Sequence, residues 1–378
     1  MRSFAELALD AVAPHLLVRR TPRPVDAGGS LPELCRSALE RPTGSPALME
    51  LAQGARSITV IVSDASRDEP RSEMLSVLRE AVPWERVTLV VAAGTHAASA
   101  DVVPPAFRDR PITVPGQGSR WVDLGRTPRG TRVRLLAEVA EAELVIATGR
   151  IRPHYFAGFS GGAKAIFPGS ALPEDALDNH RLKADPSARL GRVEDNACRL
   201  DMEAAARLLP GRAFMLNVLS DVEGTPVAAA AGDPVAAHRA LLAKARELFT
   251  VSAPRTRVVV VADRPPVTSS LYQASKLLPP AGALLSDGGI VILLADLTQG
   301  IGPVERVNRG IYELGVRPQL PLGHRVLLVS GLDAAAARAG YAEPRPSLDS
   351  ALAEAFAATG ERRAVVLWRA GETIAVAE

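Results

Sequence analysis

Three of the six histidines in this chain end short loops, where an imidazole is least needed for packing: His96 closes AAGTH, His154 closes RIRPH and His180 closes DNH. Imidazole titrates near neutral pH, so it can take and return a proton, and it also binds late transition metals. Residues 154–169, HYFAGFSGGAKAIFPG, add the pair Gly161 and Gly162 followed by Lys164. Paired glycines let a backbone approach a ligand closely and leave amides to face an anion. Lys164 beside them can meet a phosphate or act as a nucleophile. The spacing is not that of a P-loop, because Ala163 and Ala165 stand where glycine and a magnesium-binding hydroxyl are required. Each feature also has a plainer reading, a satisfied turn histidine or a tight strand-to-helix turn with an exposed lysine. His15, His238 and His324 lie in a leader, a predicted helix and a strand start, and are expected to be surface or partly packed imidazoles.

These residues must be held by something, and short β-rich runs alternate with helical stretches along the chain. Strands are expected at 57–64, 86–96, 142–154, 213–221, 256–263, 289–296 and 324–331, with helices at 69–82, 195–209, 234–249 and 347–359. Such alternation predicts an α/β fold with mostly parallel sheets flanked by helices, and the length of the chain suits two domains. Ligands of open α/β sheets bind beyond the carboxyl ends of the strands, where Asp64, Arg67, His96 and His154 gather. The segment ELFTVSAPRTR places a boundary near 252. Residues 1–252 then form a first domain, on which the C-terminal residues are free to pack back, and residues 253–378 form a second α/β domain.

Lys plus Arg (44) nearly balances Asp plus Glu (42), so no bulk field favours nucleic acid or an anionic membrane. Glu6 and Asp10 interrupt the first apolar stretch, which does not read as a signal peptide, and no apolar run is long enough to span a bilayer. The expected location is the cytoplasm. Cys35 and Cys198 lie far apart without a CxxC partner, which leaves no disulfide framework and no zinc cluster.

Taken in order, SDASR (63–67), GTH ending at His96, His154, the SGGAKAIFPG stretch with Lys164, His180 and LYQASK (271–276) resemble the nickel-dependent lactate racemase family. The chain departs from that pattern at Ala163, where the family often has Arg. The resemblance implies a racemase or epimerase of a lactate-like 2-hydroxy acid, dependent on proteins that synthesise its cofactor. That cofactor is the nickel-pincer nucleotide, a pyridinium bisthiocarboxylate mononucleotide holding nickel and joined covalently to Lys164. His180 would be the protein ligand to nickel, while Asp64, Ala65, Ser66, Arg67, Gly161 and Gly162 would bind the nucleotide. His96 and His154 would exchange the hydroxyl proton, one for each enantiomer, as hydride passes to and from the pincer. Arg67, Tyr272, Gln273 and Lys276 would hold the substrate, so that 1–252 would be the cofactor-binding and catalytic domain and 253–378 would contribute substrate-binding residues, with the cofactor site between them.

Two rival readings use the same residues. In one, His96, His154 and His180 gather on zinc in a metal-assisted hydrolase, which leaves Lys164 without a role. In the other, a non-catalytic carrier binds the cofactor, which leaves His96 and His154 without one. Within the racemase reading, a dicarboxylate would need a further cation, and Arg306, Arg309 and Arg338 lie outside any site motif. Tyr341 and Trp368 could line an apolar pocket, though ordinary core packing accounts for both more simply, and a small monocarboxylic acid with an apolar side chain is expected. The sequence fixes no oligomeric state.

Overall fold

Runs of β-branched residues build two six-stranded sheets in the computed structural model, which describes residues 4–65, 67–95 and 98–378. The first sheet runs Pro226–Gly232, Arg212–Ser220, Leu144–Ile151, Ile58–Ser63, Val87–Ala92, Ile112–Thr113. All its pairings are parallel except that of Pro226–Gly232 with Arg212–Ser220. The second sheet is parallel throughout, in the order Leu16–Arg20, Ala364–Trp368, Thr256–Ala262, Leu285–Leu294, Arg325–Val329, Glu343–Arg345. Helices cover the sheet faces, so central strands are apolar on both sides, and every residue of Leu144–Ile151 is buried. The fold is the expected α/β class with mostly parallel sheets.

Helix ends follow their caps. Asn196 accepts a hydrogen bond from Arg199 N, so the helix expected from 195 runs Ala197–Ala206. Ser347 caps Leu348–Thr359, which ends at Gly360 in the left-handed region at φ 75°. The stretch expected as one helix over 234–249 is two, Ala236–Ala240 and Leu242–Phe249.

A cut near 252 does not separate the two sheets. Leu16–Arg20 is an edge strand of the second sheet, where Leu16 pairs with Ala364, and Thr250–Ala253 pairs with Ile374–Ala377. One apolar cluster runs continuously from Ile61, Val90 and Val145 under the first sheet to Val259, Leu293 and Val365 under the second. No helix among the described residues is long and apolar enough to cross a membrane.

At the carboxyl ends of the strands the sheets are also joined by charge. Arg150 lies 2.7 Å from Asp68 and 3.4 Å from Glu372, and Arg152 lies 3.0 Å from the same Asp68 oxygen. Arg369 meets Asp263 at 3.0 Å and Glu372 at 3.5 Å. Three guanidinium groups from both halves thus share three carboxylates, and Glu372 is buried at their centre.

Candidate active site

Strand Leu144–Ile151 delivers the chain into a tight hairpin, Pro153–His154 against Gly158–Phe159, and then into the turn Gly162–Ala165 that carries Lys164. His154 is buried, packed on Tyr155 at 5.4 Å and edge-to-face on Phe156 at 4.6 Å. Its Nδ1 accepts a long 3.3 Å bond from Ala157 N. Burial, and then the charges of Lys164, Arg67, Lys276 and Arg199, hold its pKa well below the ordinary 6.5, so the ring is neutral at neutral pH. His180 lies in the last turn of helix Pro173–Arg181, on another edge of Phe156 at 5.0 Å.

Lys164 is half-buried along its length, and burial together with Arg67 and Arg199 brings its pKa from 10.5 to about 7, against the opposing charge of Asp64. Lys276 is held well below 10.5 by burial and by Arg67, Lys164 and Lys183. It donates to Gln273 Oε1 at 2.5 Å and lies over the Tyr272 ring at 5.2 Å. Tyr272, Gln273 and Lys276 share the short helical segment 271–277, started by Ser270, which accepts from Gln273 N. Arg67, Lys164 and Lys276, far apart in sequence, are thus close enough to lower the pKa of His154 together. Asp64 is buried at the end of Ile58–Ser63, and Ala65 beside it is exposed.

Ser66 and His96 lie outside the described residues. The turn before position 96 is anchored beside the lysine loop, with Gly94 N donating to Gly169 O at 2.9 Å. Of the Gly161 and Gly162 pair, Gly162 departs from the expectation of a free amide. Gly162 N donates to Asn217 Oδ1 at 3.1 Å, and a Cβ on Gly161 would lie 2.6 Å from that oxygen. Both glycines have positive φ (74° and 63°), so their freedom serves close packing against the protein.

Several residues that shape the site carry no sequence motif. Arg199 is fully buried and donates to three carbonyls of the hairpin, those of Ala157 (3.2 Å), Phe159 and Gly161 (3.0 Å). Burial lowers its pKa to about 10. His238, expected to be surface or partly packed, is buried instead, and its Nε2 lies 2.9 Å from Ser160 O under the same loop. Arg71 clamps the other loop through the carbonyls of Ser63 (3.0 Å), Asp64 (2.5 Å) and Arg67 (2.9 Å). A compositional signal was available for one more, Lys183. Only four of the 44 Lys and Arg residues are lysine, and Lys164, Lys183 and Lys276 are three of them.

Arg306, Arg309 and Arg338 are exposed. Trp368 sits between Arg19 and Arg264 (5.4 and 5.7 Å), while Tyr341 stacks on Tyr312 and donates to Ser275 behind the substrate segment. Among the described residues no three His, Cys, Asp or Glu side chains are grouped to hold a metal. Burial pushes both Cys35 and Cys198 up to about 12, so neither offers a thiolate.

The profile of the lactate racemase N-terminal domain matches residues 14–191. The lactate racemase of Thermoanaerobacterium thermosaccharolyticum is 31% identical over 288 residues, covering 71% of this chain and 67% of that protein. The lactate racemase of Lactiplantibacillus plantarum is 32% identical over 287 residues, with the same two coverages. The structure of the T. thermosaccharolyticum lactate racemase apoprotein superposes with a TM-score of 0.82 at 25% identity, covering 95% of each chain. A crystal structure of a Thermotoga maritima protein shares the fold, with a TM-score of 0.69 at 16% identity over 94% of this chain and 100% of that one. On these matches, this chain belongs to the lactate racemase family.

Proposed function

We propose that this isomerase interconverts the enantiomers of a small 2-hydroxy acid by moving a proton at the hydroxyl while hydride leaves and returns at carbon. The observation that carries the reading is the convergence of Arg67, Lys164 and Lys276 on a buried neutral imidazole, His154. Such a cluster attracts an anion and places a proton acceptor beside it. Arg67 offers a fork to the carboxylate, and Lys276, oriented by Gln273, offers a point charge. The bond from Ala157 N favours the tautomer with the proton on Nε2. For Nε2 to take the hydroxyl proton, the ring must first carry its proton on Nδ1, where it can no longer accept from Ala157 N and the two donors must move apart. His96 would serve the opposite enantiomer.

The nickel-pincer nucleotide of this family fits the donor set. An amine lowered to about 7 is substantially neutral at neutral pH, as the covalent anchor at Lys164 requires. With both cysteines held as thiols, His180 is the candidate ligand, and nickel's soft ligands would come from the cofactor. Asp64, Ala65, Ser66, Arg67, Gly161 and Gly162 would line the nucleotide. When bound, the group supplies the capacity to accept and return hydride. The exposure of Arg306, Arg309 and Arg338 supports a monocarboxylate with an apolar side chain over a dicarboxylate.

Protein co-expressed with a cofactor-synthesis pathway, assayed by chiral chromatography over a panel of 2-hydroxy acids, should bring either pure enantiomer to the same equilibrium mixture. His154→Ala should slow this at least about a hundredfold with the fold intact. Failure to racemise any acid of the panel would refute the activity, and a tenfold preference for a dicarboxylate in kcat/KM would refute the substrate class.

A further inference from the structure

Lys183 has no place in the mechanism above, yet it is 5% exposed and makes no ion pair among the described residues. A buried ammonium is costly unless something faces it. Its Nζ lies 4.9 Å from the centre of the Phe156 ring and 5.8 Å from that of Tyr155, within cation–π range of both. Gly310 O accepts from it at 3.4 Å. Phe156 in turn sets its edges against the rings of His154 (4.6 Å, 83°) and His180 (5.0 Å, 75°).

The opposite wall is the π-helix Arg306–Val316, whose Gly310 and Gly315 stand five residues apart, the hydrogen-bond step of such a helix. A Cβ on Gly315 would lie 2.8 Å from Tyr155 Cε2 and 3.3 Å from Lys183 Cδ, so the helix has no room there for a larger residue. Gln319 Nε2 closes the arrangement by donating to Tyr155 O and Gly315 O, each at 2.7 Å. In a chain that uses arginine almost everywhere, lysine here answers to the single acceptor and the narrow slot. A planar fork would leave most of its donors unmet.

We infer that Lys183 is a positioning residue, which holds Phe156 by its charge and thereby fixes the spacing of the His154 and His180 rings. This rests on the proposed function for its catalytic meaning but not for its geometry. In cofactor-free protein, the ring signals of His154 and His180 can be assigned by substitution and followed by NMR. Lys183→Met should move both signals, and Lys244→Met, at an exposed lysine, should move neither. Lys183→Gln, which can still donate to Gly310 O but has lost the charge, should move them as Lys183→Met does, and it decides the matter if Lys183→Met does not fold.

In the loaded enzyme Lys183→Gln should lower kcat about tenfold while KM stays within about twofold, since a small misplacement of reacting groups costs rate rather than binding. Unmoved ring signals in the charge-loss variants would overturn the inference, as would a loss confined to KM, which would make Lys183 a substrate contact. A wild-type enzyme that racemises nothing would refute the proposed function and leave the ring measurement standing.

Discussion

Arg150, Arg152 and Arg369 each face a carboxylate within 3.0 Å, whereas Arg199, Lys164 and Lys276 face none within ion-pair distance among the described residues. Both groups lie at the carboxyl ends of the strands, yet they are assembled to opposite ends. The first is balanced, with Asp68, Asp263 and Glu372 completing it, and it joins the two halves of the chain. In the second, Asp64 is the one carboxylate whose charge reaches Lys164 and Lys276. Burial first, and then the neighbouring cations, hold its lysines below their ordinary value, with Asp64 opposing. A balanced cluster holds a shape, and an unbalanced one of this kind calls for an anionic ligand.

The contrast can be broken most severely at Lys164. Lys164→Ala should abolish racemisation outright and remove a mass of pyridine-mononucleotide size plus sulfur from the intact protein, while the unfolding transition stays in place. Full activity without that lysine would end the anchor assignment. At the balanced cluster the expected loss is in stability: Glu372→Ala takes from Arg150, Arg152 and Arg369 the buried carboxylate they share and should cost about 3–5 kcal/mol in urea unfolding. A cost near zero would show that the cluster does not hold the halves together.

The smallest expected effect is with acid. Burial holds His154 and His238 well below the ordinary 6.5, so the unfolded chain binds more protons than the folded one once pH falls below that value. Stability is therefore fully present above 6.5 and declines below it, by up to about 1.4 kcal/mol per pH unit for each ring. Urea midpoints measured between about pH 7.5 and 5 should fall in the wild type and fall less in His238→Gln. Equal slopes would show that His238 is not buried neutral.

Much of the frame was legible in the sequence because local physics decides it. Buried parallel strands must be apolar runs, so Ile58–Ser63, Val87–Ala92 and Leu144–Ile151 fall inside the expected ones. The loops that end in Asp64, Arg67, His154 and Lys164 stood out because polar residues follow such runs directly. What escaped depends on contacts distant in sequence. Arg199 is mid-helix with nothing local to mark it, and its partners Ala157, Phe159 and Gly161 lie about forty residues away. His238 was assigned to a partly packed face because the loop it supports, at Ser160, precedes it by 78 residues. The edge strand Leu16–Arg20 reads locally as part of a leader, and only its pairing with Ala364–Trp368 gives it a place.

That pairing governs the order in which the molecule can be finished. During synthesis Leu16–Arg20 emerges before any strand of the first sheet, while its neighbour Ala364–Trp368 emerges after Thr256–Ala262, Leu285–Leu294 and Arg325–Val329. The first sheet can close while the second still lacks its edge. Through that interval the early strand has no ladder to join, and closing so long a loop is slow. A nascent chain paused before residue 364 should therefore carry a formed first sheet and an open second one, with the early segment accessible to protease until its neighbour arrives.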